Sequence, residues 1–170
     1  MKLETLHELF MDMLKDIYDG EHQITEALPK MAKAAKSPEL KEGFRTHLQE
    51  TEEHIKRLER IFEMMGKKPT RKKCKGIAGL IKEGDELMKE DADRDVVDAG
   101  LIAAAQKVEH YEMAEYGTLR TYAQLMGHSE AARLLQQTLD EEGAADKKLT
   151  ALAESGINVK AMEDGRERSR

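Results

Sequence analysis

The chain has no tryptophan, a single cysteine, three prolines and only 4% aromatic residues over 170 positions. So few aromatics leave little to build the core of a β-sandwich or barrel, and the balance favours long amphipathic helices. One cysteine, Cys74, excludes an internal disulfide and agrees with a reducing compartment. Its neighbours Lys73 and Lys75 favour a thiolate and make a redox role conceivable; the plainer reading is an ordinary exposed thiol. No apolar run approaches the roughly 20 residues that span a bilayer. The opening MKLETLHELF is too acidic and amphipathic for a signal peptide, so a cytoplasmic protein is expected. A net charge of -6 gives the whole molecule no electrostatic reason to seek nucleic acid. The stretch Lys67, Lys68, Arg71, Lys72, Lys73 and Lys75 is the main exception, but no aromatics are interleaved for stacking, so it reads as a solvated loop. Arg166, Arg168 and Arg170 read as a disordered tail.

What is present is 39% hydrophobic and 36% charged residues, with ten methionines, in a length suited to one domain. Near residues 3 to 35, Leu6, Phe10, Met13, Ile17, Ile24 and Leu28 recur in helical steps, and Pro29 is expected to kink or end that helix. Ser37, Pro38 and Glu39 form an N-cap, a first-turn proline and a dipole-favouring acid, opening a second helix that runs to Gly66. Its apolar face is Phe44, Leu48, Ile55, Leu58 and Phe62, and the short connection makes it antiparallel to the first. A crossover from Gly66 to about Asp93 carries a short amphipathic helix around Ile77, Leu80, Ile81 and Leu87. The third long helix spans about Asp93 to Met126, with Gly127 as its stop. A fourth starts at Ser129 and stops at Gly156. Two hairpins joined by one long connection predict an all-α, ferritin-like four-helix bundle over residues 1–156, with a loose polar tail over 157–170.

Acids interrupt these apolar stripes, and a charge in a core costs several kcal/mol unless it is paired or ligates metal. Glu21 falls between Ile17 and Ile24. Glu109 and Glu112 fall between Ala105 and Tyr116, and Glu142 and Asp146 continue the series Leu135, Leu139 to Leu149. The second helix supplies His54, with Glu50 one turn earlier and Thr51 in the stripe. The separation from Glu21 to His54 equals that from Glu109 to Glu142, so superposing the hairpins matches both pairs at one level of the bundle. Five acids so close cannot all stay ionised unaided. Two divalent cations would offset about four charges, and oxygen ligands with one imidazole suit iron first and manganese second. His47 reads as a half-exposed packing residue rather than an outer ligand. Tyr18 and Tyr116, each within a turn of a candidate ligand, read as core residues with satisfied hydroxyls rather than as ligand partners or radical carriers.

The segments YDGEHQITEALPKMAKAAKSPELK, HLQETEEHIKRLERIFEMMG, AAQKVEHYEMAEYGTL and LDEEGAADKKLTALA resemble the YciF/YciE-type ferritin-like stress proteins over nearly the whole chain. That resemblance implies a bundle that is usually a homodimer, with a di-iron site like that of rubrerythrins. Carried over by position, it implies Glu21, Glu50, His54, Glu109, Glu112, Glu142 and Asp146 as metal ligands. The usual Glu-x-x-His motif is broken, because Thr51 stands three before His54 and the fourth helix has no histidine. His54 is then expected to pair with Glu50 or Glu53, and Asp146 to stand in for the second imidazole. The expected function is a di-iron oxidoreductase acting on dioxygen or peroxide; the alternatives are a non-enzymatic metal-binding or protective module and a docking protein using the basic loop.

Overall fold

A computed structural model describes residues 3–167, which contain no strand. The helices are α1 (Leu6–Ala34), α2 (Pro38–Met64), α3 (Lys75–Leu87), α4 (Arg94–Leu125), α5 (Ser129–Leu152) and α6 (Asn158–Glu167), with a π-helical turn at Ala153–Ile157. Local chemistry sets the ends. Thr5 and Glu8 form a capping box on α1, and the Ser37 hydroxyl accepts from the Leu40 N–H at the start of α2. Gly66 and Gly127 take left-handed φ values of 65° and 79° just past α2 and α4, where a side chain would be strained.

Two apolar clusters fill the bundle. One joins Phe10, Leu14 and Ile17 of α1 to Leu58 and Phe62 of α2, Leu119 of α4 and Leu135 of α5. The other joins Ile24 and Leu28 of α1 to Leu40 and Phe44 of α2, Leu101 and Ile102 of α4, and Leu149 of α5. The start of α1 therefore meets the ends of α2 and α4 and the start of α5. Because α2 and α4 run in the same direction, the chain between them must travel back along the bundle. This is the ferritin-like topology, and α3 rides on that return, packed against α1 and α4.

Several expectations need correction. α1 continues five residues past Pro29, which lies on the exposed face where water can replace the lost helical hydrogen bond; burial of Leu28 and Ala32 offsets the cost. Ser129 begins α5, but the cap position is His128, whose side chain makes no capping bond. Residues beyond Gly156 are helical as α6, which packs on α4, and Ile157 is buried. Arg168 and Arg170 lie outside the described residues, as does the side chain of Arg166. Cys74 is neither exposed nor activated: it is fully buried, and burial followed by the nearby Asp16 carboxyl pushes its thiol up to about 11. The basic stretch is partly neutralised, with Arg71 on Asp19 at 2.8 Å and Lys72 on Asp12. No helix among the described residues is long and apolar enough to cross a membrane.

Buried Asp98 of α4 ties the hairpins together. Its two oxygens accept the backbone N–H groups of Lys36 and Ser37, each at 2.7 Å. Asp98→Ala removes both acceptors and should cost roughly 2–4 kcal/mol. Thermal unfolding should then shift down by about 5–15 °C; an unchanged midpoint would show that this tie contributes little.

Candidate metal centre

A polar layer separates the two apolar clusters. Its members are Glu21 of α1, His47, Thr51 and His54 of α2, Glu109 and Glu112 of α4, and Thr138 and Glu142 of α5, all buried. The helical repeat explains the layer. On α2 the buried series Phe44, His47, Thr51, His54, Leu58 alternates steps of three and four, and on α5 Leu135, Thr138, Glu142, Ala145, Leu149 does the same.

Two groups of ligand-type atoms converge there. His47, Glu109, Glu112 and Glu142 offer atoms mutually within 4.8 Å, and so do Glu21, His54 and Glu142. Glu142 belongs to both groups. Its Oε1 stands 2.8 Å from His54 Nδ1, while its Oε2 stands 3.7 Å from His47 Nε2. His47 Nε2 also lies 2.9 Å from Glu109 Oε1, and His54 Nδ1 lies 3.4 Å from Glu21 Oε1. Despite this closeness, His47 Nε2 and His54 Nδ1 have no aligned hydrogen-bond partner. Nine buried side-chain atoms among the described residues lack a partner, and eight belong to Glu21, His47, His54, Glu109, Glu112 and Glu142; the ninth is Arg120 Nε. Orphaned buried polar atoms are rare in folded proteins, and concentration of nearly all of them at one spot fits a site built for cations.

The far nitrogens of both imidazoles are held by carboxylates at the rim. His47 Nδ1 faces Glu50 Oε2 at 3.2 Å, and His54 Nε2–H donates to Glu141 Oε2 at 2.9 Å. Arg57 grips Glu141 with two bonds of 2.6 and 2.8 Å and donates to Thr138 Oγ1 at 3.1 Å. Such carboxylate–histidine pairs fix the ring and leave the inner nitrogen to face a metal. Tyr116, fully buried, donates its hydroxyl to Glu21 Oε1 and so orients that carboxylate as well.

Protons hold the cluster together when no cation is present. Burial opposes charge on both imidazoles, but the carboxylates prevail: Glu109 foremost keeps His47 well above its ordinary value, while Glu142 and Glu21 raise His54 to about 10. Burial, then the charges of Glu142, Glu21 and Glu109, pushes Glu112 well up. Burial and Glu109 raise Glu142 to about 8.

Of the expected ligands, the structure brings together Glu21, His54, Glu109, Glu112 and Glu142. Glu50 stays half-exposed at the rim, one shell out, bonded to His47. Asp146 turns away, accepting from Gln106 Nε2 at 3.2 Å and facing His110 at 3.2 Å, because the buried stripe of α5 passes through Ala145 instead. His54 pairs with neither Glu50 nor Glu53, since its partner Glu141 comes from α5 and exposed Glu53 pairs with Lys56. His47 is a buried member of the layer rather than a packing residue. Its four-residue step to Thr51 was the signal. Tyr18 packs against Phe62 and donates to Glu59 at 3.0 Å, away from the layer.

Comparison with known proteins agrees with this architecture. Residues 5–162 match the family model described as a domain of unknown function, DUF892. Protein YciF of Escherichia coli is 45% identical over 162 residues, covering 95% of this chain and 98% of that protein. The crystal structure of YciF, described as a stress protein, superposes with a TM-score of 0.88 at 44% identity, over 92% of this chain and 99% of that one. YcfI of Rhodopseudomonas palustris, for which a structural role has been suggested, gives 0.86 at 46% identity, over 88% and 95%. A protein of Xanthomonas campestris at 21% identity shares the fold, with a TM-score of 0.77 over 95% and 99%. With its polar layer, its topology and these matches taken together, the chain belongs to the YciF-type, DUF892 family.

Proposed function

We propose that the chain is a two-metal carboxylate protein of the stress response that holds two iron ions, with manganese as the alternative metal, and acts on dioxygen or peroxide. In this reading it works in the cytoplasm as a homodimer. Glu142 carries the proposal, because its two oxygens face two different histidines. Glu21 and His54 would hold one ion, His47, Glu109 and Glu112 the other, and Glu142 would bridge them. Four carboxylates with two imidazoles form a donor set that suits iron or manganese.

Bound ions would supply Lewis acidity and electron transfer toward an oxygen ligand. The chain's own residues do the rest. Glu50 and Glu141 keep the imidazoles turned inward, Tyr116 leaves the second Glu21 oxygen unencumbered, and the apolar clusters flank the layer above and below. The Thr51 hydroxyl donates to the His47 carbonyl at 2.8 Å, one turn back along α2. A second reading, a non-enzymatic module in which metal only stabilises the bundle, is supported by the structural role suggested for YcfI.

Anaerobic Fe(II) titration of metal-free protein should saturate near two ions per chain, and peroxide should then oxidise them faster than Fe(II) in buffer. Glu142→Gln should hold fewer than one, and Asp146→Asn should behave as the parent. Metal-dependent stabilisation without peroxide turnover would favour the second reading. Failure to bind any ion would end both.

Glu50→Gln and Glu141→Gln should each lower metal affinity by about 10–100-fold with the fold intact. Equal affinity in isothermal titration would show that the rim carboxylates do not position the imidazoles.

Without metal, stability should fall as pH rises from 6 to 9. The folded pKa of Glu142 is raised from 4.5 to about 8, so its contribution is complete below 4.5 and lost as pH passes 8. That of His54, raised from 6.5 to about 10, is complete below 6.5 and lost toward 10. Cations displace these protons, so metal affinity should climb over the same range. Denaturant midpoints of the metal-free chain that stay flat or rise from pH 6 to 9 would contradict the assignment.

A further inference from the structure

The polar layer is not sealed on every side. A cleft of about 730 Å³ opens between α2 and α5 and reaches His47 and Glu109 at its inner end. Water occupies about 30 Å³ in the liquid. A passage for dioxygen or peroxide would need only a small part of the cleft, whereas small-molecule sites span about 300–1,000 Å³. The walls are apolar, formed by Leu28, Phe44, Ala105, Ala145, Leu149 and Leu152. Small residues make the room. A Cβ added at Gly43 would stand only 3.8 Å from Leu152 Cδ1 across the gap.

The charges are unevenly placed. Glu39, Glu42 and Glu50 line the outer cleft with Lys148, and Glu109 faces His47 at the inner end, so four acids against one lysine and one histidine leave the charged lining acidic on balance. An anionic amphiphile would meet repulsion there. A charged group halted along the walls, short of His47 and Glu109, would find apolar side chains and no partner.

We propose that this cleft binds a neutral, largely apolar small molecule whose inner end reaches His47 and Glu109. The site is a binding site in its own right. It becomes the substrate site only if the two-metal reading above holds, and on that reading it names the substrate class: a hydrophobic organic compound presented end-on to the centre. Filling the cleft from Gly43 would close it without touching the polar layer.

The neutral probe N-phenyl-1-naphthylamine, titrated into the full chain with and without Co(II), tests this. One saturable site per chain is expected, with displacement by 1-decanol at least ten-fold more effective than by decanoate. Gly43→Leu should weaken the probe at least ten-fold while Co(II) uptake and the melting temperature stay at the parent values. In the Co(II)-loaded chain, 1-decanol should shift the visible Co(II) bands. Undiminished probe binding by Gly43→Leu, equal displacement by decanoate, or no probe binding because a second copy covers the cleft would each overturn the proposal. Co(II) loading without probe binding sinks this inference alone; probe binding by a chain that takes up no metal sinks the two-metal reading and leaves the cleft standing.

Discussion

Four carboxylates from three helices are buried together in one layer, with no lysine or arginine among them. Like charges at such distances in a medium of low polarisability cannot all persist without cations or protons. Everything around the layer follows from that constraint. The two histidines of α2 are the only cationic side chains inside it, and Arg57 contributes indirectly through Glu141. The apolar clusters above and below shield the layer from solvent on those two sides, which strengthens each electrostatic contact and makes each missing partner costly.

The topology serves the same end. Because α2 and α4 are parallel, the crossover with α3 must be held against α1, and buried Asp19 does this by accepting from the Cys74 N–H at 2.8 Å and from Arg71. Asp98 performs the equivalent task for the first hairpin turn. Both are buried acids fully engaged by donors. The carboxylates of the layer instead keep buried oxygens without a donor and crowd one another, and it is that cluster which could hold a cation.

Much of this was legible in the residues. Long helices, the crossover, and the inward direction of Glu21, Glu109, Glu112 and Glu142 followed from helical periodicity and capping signals. The misplaced residues share one cause. A step of three and a step of four are equally helical, so Asp146 competed with Ala145, and small, silent Ala145 occupies the stripe. On α2 the larger apolar residues Leu48 and Ile55 drew the stripe aside from His47, which lies on the line through Thr51. Contacts between helices left no trace in one helix's pattern. Neither the Glu141 bond to His54 nor the burial of Cys74 beneath α1 and Tyr111 could be read from local spacing.

The direct test of the account is anomalous diffraction from crystals loaded with iron or manganese. Two peaks should lie in the polar layer on either side of Glu142, one beside Glu21 and His54 and the other beside His47, Glu109 and Glu112. An empty layer at saturating metal, with peaks only on exposed acids, would contradict it.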